Sequence, residues 1–316
     1  MKSKTKVAII PRQAAPNRLV GTDISAWQGT VRWPEMPSNF SFVIMRASIG
    51  LKVDSEFKDN WKGAGKARKN NEQFRRGAYH VIKYDRPVRE QVELFLDTTS
   101  PDWKVGDLPG SLDVEGSLVK AVGGIGAAAK TVEWLQLCER WTGRRPQLYI
   151  ADDALDGMRK DPKASKYIEQ FNNYPLWYVE YWKSEPPVGQ EPTLPKPLKG
   201  WKFWQWTSKG DGPAWTESSG LDLNYFNGSI ADLEAYAKRE FDFGIGEAAD
   251  YNERRGTTLE PGYRRMLEAF FACGLDTASF VEVVARFQRT NRLEVDGRCG
   301  PLTTEKVRVA FEQLRP

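Results

Sequence analysis

The chain has 316 residues, 28% of them charged and 40% hydrophobic, a soluble globular composition long enough for about two domains. The 46 Lys and Arg exceed the 42 Asp and Glu by only four, too little for a nucleic-acid footprint, and no stretch approaches the ~20 apolar residues of a membrane span. With one histidine, His80, a His-rich zinc site is excluded and any triad would depend on that single residue.

Residues 1–19 read as a loose arm. They are basic, with four apolar residues, Val7 to Ile10, before Pro11. A secretory core needs about 7–15 apolar residues, so no export signal is expected. From Gly21 onward, short apolar runs alternate with longer amphipathic ones. Strands are predicted at Gly21–Ser25, Phe42–Ala47, Gly77–Ile82, Gly110–Val114, Gln147–Ile150, Leu176–Tyr181 and Trp201–Thr207. Helices are predicted at Asp54–Lys69, Val88–Asp97 and Gly126–Trp141. This alternation predicts an α/β protein with a mainly parallel sheet closed into a distorted, TIM-like barrel over residues 20–232.

Residues 233–260, rich in Gly and charge, read as a linker. A small three-helix module over 261–316 follows, with helices at Gly262–Cys273, Thr277–Thr290 and Thr303–Leu314 and a core of Met266, Phe270, Phe271, Val284 and Phe287. Residues 241–316 hold 11 basic and 12 acidic residues; the first 240 hold 35 and 30, so the basic excess belongs to the barrel. The three cysteines, Cys138, Cys273 and Cys299, are widely spaced and read as buried thiols, with a Cys273–Cys299 bridge as the alternative.

The most informative segment is Leu112-Asp113-Val114-Glu115. On a strand, residues i and i+2 project to the same side, roughly 6.6 Å apart, so Asp113 and Glu115 point together at a strand's carboxyl end. Active sites of α/β barrels form at that end. Two such carboxylates can divide into a proton donor and an anion. On the tripeptide alone a solvated strand end is the plainer explanation. Context adds weight. Asp23 ends the first strand, and Asp222, in Gly220-Leu221-Asp222-Leu223-Asn224, takes an equivalent place after the last one. Tyr79-His80, Trp177, Tyr181 and Trp204-Gln205-Trp206 add aromatic and amide groups suited to sugar rings and N-acetyl groups. Tyr79, Trp177, Tyr181, Gln205 and Trp204 are the candidate substrate-binding residues, and His80 is expected to be structural.

These segments, with Trp27-Gln28-Gly29 and Phe42-Val43-Ile44-Met45-Arg46-Ala47-Ser48, make residues 20–230 resemble glycoside hydrolase family 25, the Chalaropsis-type lysozymes. The resemblance implies an irregular β/α barrel that cleaves the β-1,4 bond between N-acetylmuramic acid and N-acetylglucosamine. It implies Glu115 as general acid/base, with Asp113, Asp23 and Asp222 as carboxylate partners. No metal or cofactor is implied. Glu115 is then expected to be raised above a free Glu by burial or neighbouring anions, with Asp113 ionised. Either a carboxylate, Asp113 or Asp222, acts as direct nucleophile, or the substrate's own N-acetyl oxygen attacks, steered by Asp113, the route the resemblance favours. The chain departs from the family at Ile49, where a Glu or Gln is common.

The C-terminal stretch Val284-Ala285-Arg286-Phe287-Gln288, followed by Val295-Asp296-Gly297 and Gly300-Pro301-Leu302-Thr303, resembles peptidoglycan-binding domain 1. A wall-cutting barrel with a wall-binding module and no export signal resembles a bacteriophage endolysin. Such a protein is made in the host cytoplasm and reaches the wall through a holin. Bacterial peptidoglycan is the expected partner, with no nucleic acid, no membrane insertion and a monomeric state. The alternative is a non-catalytic carbohydrate-binding protein on the same barrel.

Overall fold

The computed structural model describes residues 18–99, 104–210, 212, 215–254, 260–271 and 279–314. The described residues form two compact units. The larger takes those up to Leu135 and Pro146–Arg239, and the smaller takes Gln136–Arg145 and those from Glu240.

Among the described residues, the larger unit is built on nine strands: β1 (Arg18–Ile24), β2 (Phe40–Ile49), β3 (Lys52–Val53), β4 (Arg75–Val81), β5 (Ser111–Val114), β6 (Gln147–Ala151), β7 (Leu176–Val179), β8 (Phe203–Gly210) and β9 (Leu221–Asn227). Their order is β1-β9-β8-β7-β6-β5-β4-β2-β3, and β1 also pairs with β2. Eight strands therefore close into the expected α/β barrel, with β3 as a short antiparallel edge on β2. Among the described residues, seven α-helices belong to this unit in sequence order: α1 (Phe57–Asn70), α2 (Val88–Thr99), α3 (Gly116–Val122), α4 (Gly124–Thr142), α5 (Asp152–Arg159), α6 (Ser165–Ile168) and α7 (Ile230–Lys238), α4 running on beyond Leu135. Helix α2 shows why they dock: Val88, Val92, Phe95 and Leu96 follow the i, i+4, i+7, i+8 stripe and all are buried.

The barrel departs from all-parallel topology at β9, which runs antiparallel to both β8 and β1. Only residues 211–220 join β8 to β9, fewer than the dozen or so a parallel crossover needs, so the chain turns straight back. The start of β9 thus lies at the end where the parallel strands finish. Inside, Phe42, Ile44, Trp177, Phe203 and Phe226 fill the barrel. Gly21 is required by close approach: a Cβ there would lie 2.5 Å from the Phe42 ring.

The smaller unit contains α8 (Ile245–Arg254), α9 (Glu260–Phe271), α10 (Phe280–Thr290) and α11 (Pro301–Glu312). Leu267, Val283, Val284, Phe287 and Val307 form its core, with Met266, Phe270 and Phe271 partly buried against them. Ser279 and Glu282 form a capping box that starts α10. The Phe-Gln and Asp-Gly pairs of the sequence meet at Gln288, which is fully buried. Its Nε2 donates to Asp296 Oδ1 (2.8 Å) and Thr303 Oγ1 (3.1 Å), and its Oε1 accepts from the Asp296 and Gly297 amides. Gly297 has φ +66°, a left-handed conformation that glycine adopts without strain.

Two boundaries differ from expectation. Residues 233–260 are not a plain linker. Helix α7 continues to Lys238 because Leu233 and Ala237 are fully buried in the barrel core, and α8 occupies 245–254. Residues 18 and 19 of the expected arm already belong to β1. Cys138 is buried as expected, and Cys273 lies outside the described residues.

Candidate active site

At the carboxyl end of the parallel strands lies a cavity of about 370 Å³. All four expected carboxylates line it: Asp23 on β1, Asp113 on β5, Glu115 just beyond β5, and Asp222 at the start of β9. The register explains this. Val81, Asp113, Tyr149 and Trp177 pair in one row across β4 to β7. Asp23 pairs with Asp222 across β1 and β9.

The carboxylates have different surroundings. Glu115 has extended backbone ahead of α3, and its side chain is exposed, with no hydrogen-bond partner among the described residues. Asp113 is only 9% exposed, and its Oδ1 is buried without a partner. Burial pushes the Asp113 carboxyl well above its usual range, the charges of Glu115, Asp23 and Asp222 add to this, and Arg46 opposes it. Burial thus holds the Asp113 carboxyl toward its neutral form, where an ionised Asp113 is expected from the resemblance. The physical reason is that Val114 ends the strand, so Glu115 turns out to solvent while Asp113 stays inside.

Asp23 and Asp222 form a second pair. Asp23 Oδ1 accepts from Asn224 Nδ2 (2.7 Å) and Gln205 Nε2 (2.9 Å). Burial raises both acids, but those two donors stabilise the Asp23 anion, whose charge pushes Asp222 higher. Of the pair, Asp222 is thus the acid pushed further toward its neutral form.

Gln205 is fixed in turn. Its Oε1 accepts from the hydroxyls of Tyr149 (2.8 Å) and Tyr181 (2.9 Å), which forces the amide nitrogen toward Asp23. Trp177 Nε1 donates to Asn224 Oδ1 (2.8 Å), orienting the second donor. Trp177 is buried at the cavity floor and Tyr79 packs edge-on against it at 6.3 Å. Tyr181 is 57% exposed at the rim.

Trp204 is a correction. It lies on the other face of β8, fully buried, with Nε1 donating to the Glu180 carbonyl and its ring against Trp201 and Tyr225. Strand alternation is the reason: Phe203 and Gln205 point inward, so Trp204 and Trp206 cannot. Ile49 is partly buried against the barrel core and lines no part of the cavity. His80 is also away from it. Its Nε2 faces Gln91 Oε1 (3.1 Å), its Nδ1 faces Ser48 Oγ (2.8 Å), and it stacks on Trp134; burial lowers its pKa to about 4.

Sequence reasoning missed Trp27, Arg46, Tyr149 and Asn224. Trp27 is 81% exposed at the cavity mouth, in a short turn that Ser25 and Gln28 hold by a capping box. Arg46 is fixed by Asp54, whose Oδ2 accepts from Arg46 Nε (2.7 Å) and from the Ala26 amide (3.1 Å). The available signal was strand register: each of these residues adjoins a strand end already carrying a carboxylate. Among the described residues, no group of three or more His, Cys, Asp or Glu is arranged to hold a metal ion. No helix among them is long and apolar enough to cross a membrane.

An eight-stranded β/α barrel with carboxylates and aromatic side chains around the cavity at its carboxyl end defines the class, that of glycoside hydrolases. The chain belongs to glycosyl hydrolases family 25, whose sequence model matches residues 22–215. It is 29% identical over 230 residues to the uncharacterized protein YegX of Escherichia coli K12, covering 68% of this chain and 72% of that one. It is 25% identical over 221 residues to lysozyme M1 of Streptomyces globisporus, covering 69% and 70%. Among solved structures, a muramidase from Acremonium alcalophilum superposes with a TM-score of 0.56 at 26% identity, over 70% of this chain and 99% of that one.

Proposed function

We propose that this chain is a lysozyme that hydrolyses the β-1,4 bond between N-acetylmuramic acid and N-acetylglucosamine in bacterial peptidoglycan. Family membership supports peptidoglycan hydrolysis in general. The observation that carries the finer reading is the contrast within the cavity: an exposed Glu115 beside a buried Asp113 with an unpartnered Oδ1.

Glu115 gives its proton to the glycosidic oxygen as the sugar C1–O bond breaks. The carbonyl oxygen of the substrate's N-acetyl group attacks C1, and the free Asp113 Oδ1 accepts the N–H of that group. Water then opens the ring intermediate, losing its proton to Glu115, which regains the acid form. Asp23, ionised between two amide donors, stabilises positive charge developing at C1, and Asp222 stays neutral. Trp27 and Tyr181 present aromatic faces to neighbouring sugars at the mouth.

The smaller unit carries the motif of a peptidoglycan-binding module and in this reading holds the enzyme on an insoluble substrate, raising its local concentration. The release route that fits the chain is that of a phage endolysin, made in the host cytoplasm and passed to the wall by a holin. The test is turbidity clearance of purified walls by the wild type and by Glu115→Gln, the second being inactive but folded.

A further inference from the structure

The larger unit has a second concavity, an open groove of about 910 Å³. It lies at the other end of the barrel: Arg75 and Arg76, which line it, open β4, whose far end carries Tyr79 and Val81 at the catalytic cavity. Nine of its fifteen lining residues are Lys or Arg, against three acids. That excess is larger than the net +4 of the whole chain, so the basic surplus of the sequence is concentrated here and not around the carboxylates.

The cations are arranged in two layers. At the base, Arg75 and Arg76 are only 3% and 8% exposed. Arg76 is held by Asp107 (3.0 Å) and lies over the Trp61 ring at 4.0 Å. Arg75 donates to backbone carbonyls and pairs with Glu234 (3.5 Å), while its Nε is buried with no partner. Above them, Lys58, Lys62, Lys66 and Lys69 occupy one face of α1 at i, i+4, i+8 and i+11, and Lys104 joins them from a neighbouring segment. All five are exposed, and none pairs with a carboxylate among the described residues. Four helical residues span roughly 6 Å, so the stripe repeats positive charge at about the spacing of anions along an extended polymer.

We propose that this groove docks a linear, phosphate-bearing polymer of the bacterial wall with a non-aromatic backbone. This rests on the peptidoglycan reading for the setting in which the polymer is met. The exposed ammonium groups along the wall are the donors that suit phosphate, and the buried guanidinium groups beneath them add positive charge. Concavity favours a chain over a flat membrane. Among the described residues that line the groove, the one large aromatic ring, Trp61, is buried beneath Arg76 and offers no face for a nucleobase. Because the groove and the cavity lie at opposite barrel ends, the polymer anchors the enzyme without competing for the glycan.

The test measures binding of the full-length protein to a synthetic glycerol-phosphate oligomer, beside an oligothymidylate of equal charge and phosphatidylglycerol vesicles. The readouts are Kd and its salt dependence. The same titrations use K62Q/K66Q/K69Q, whose fold is checked by circular dichroism and by cleavage of soluble, phosphate-free glycan fragments. The expected result is salt-sensitive binding of the glycerol-phosphate chain, at least tenfold weaker in the triple variant, with soluble cleavage unchanged. Equal binding by both proteins, no binding at all, or preference for oligothymidylate or vesicles would overturn the proposal. Binding does not require turnover. A protein that binds but cuts no glycan refutes the lysozyme reading alone, and one that cuts but does not bind refutes the groove alone.

Discussion

Asp23 and Asp222 stand opposite each other in antiparallel register across β1 and β9. Two acids this close in a buried site cannot both be charged without cost, and two side-chain amides decide between them by donating to Asp23 alone. Several consequences of this arrangement are measurable.

Asp222 has a folded-state pKa above its unfolded value. Its stabilising contribution is therefore complete below about pH 4 and is lost as pH rises through the folded value. Asp222→Asn removes that loss. The variant is expected to be more stable than wild type at pH 8 by about 1–3 kcal/mol, with reduced activity, and to lose its advantage near pH 4. Urea unfolding at the two pH values checks this. A variant less stable at both would contradict it.

His80 works in the opposite sense. Its pKa falls from 6.5 to about 4 on burial, so the unfolded chain takes up a proton that the folded one refuses. Stability should fall as pH drops from 6.5 to 4, by about 3 kcal/mol in total from this group. His80→Gln is predicted to flatten that decline while losing some stability at pH 7. Parallel melting curves for the two proteins across this range would rule the effect out.

At the mouth, Trp27→Ala removes an exposed ring that, in the proposed reading, touches substrate without reaching the bond being cut. KM is expected to rise about five- to tenfold, with kcat within about twofold of wild type. A large loss in kcat at unchanged KM would place Trp27 in the chemistry instead.

In the smaller unit, Gln288→Ala leaves the Asp296 and Gly297 amides and Thr303 without their shared partner. The cost is about 2–4 kcal/mol. Hydrogen exchange should accelerate across residues 280–312, with cleavage of soluble glycan fragments unchanged. Unaltered protection there would contradict the role given to Gln288.

The barrel was legible because its strands are short apolar runs bounded by Gly, Pro or Asn, and the four carboxylates because they fall at strand ends. What stayed hidden depended on three-dimensional pairing. Trp204 and Gln205 are neighbours in sequence, yet the pleat sends one outward and the other into the site. Tyr149 lies inside a strand-like run with nothing to single it out, and only register sets it beside Asp113. The reversal of β9 follows from a connection too short for a crossover, which periodicity does not register. The i, i+2 rule brought Asp113 and Glu115 to one cavity but missed their unequal burial, since the strand stops between them. Residues 233–260 looked like a linker because Gly and charged residues interrupt the apolar positions, and nothing in the sequence marks Leu233 and Ala237 as the ones that tie α7 to the barrel.

The chemistry assigned to the Glu115–Asp113 pair predicts a loss of about 10²–10⁴ in kcat for Glu115→Gln, with the fold intact. Activity retained in that variant would remove Glu115 from the role of acid.

The most direct test of the whole account is mass spectrometry of the reducing ends released from purified peptidoglycan. N-acetylmuramic acid at the new reducing ends is the predicted result. N-acetylglucosamine ends, or freed peptides with uncut glycan, would contradict it.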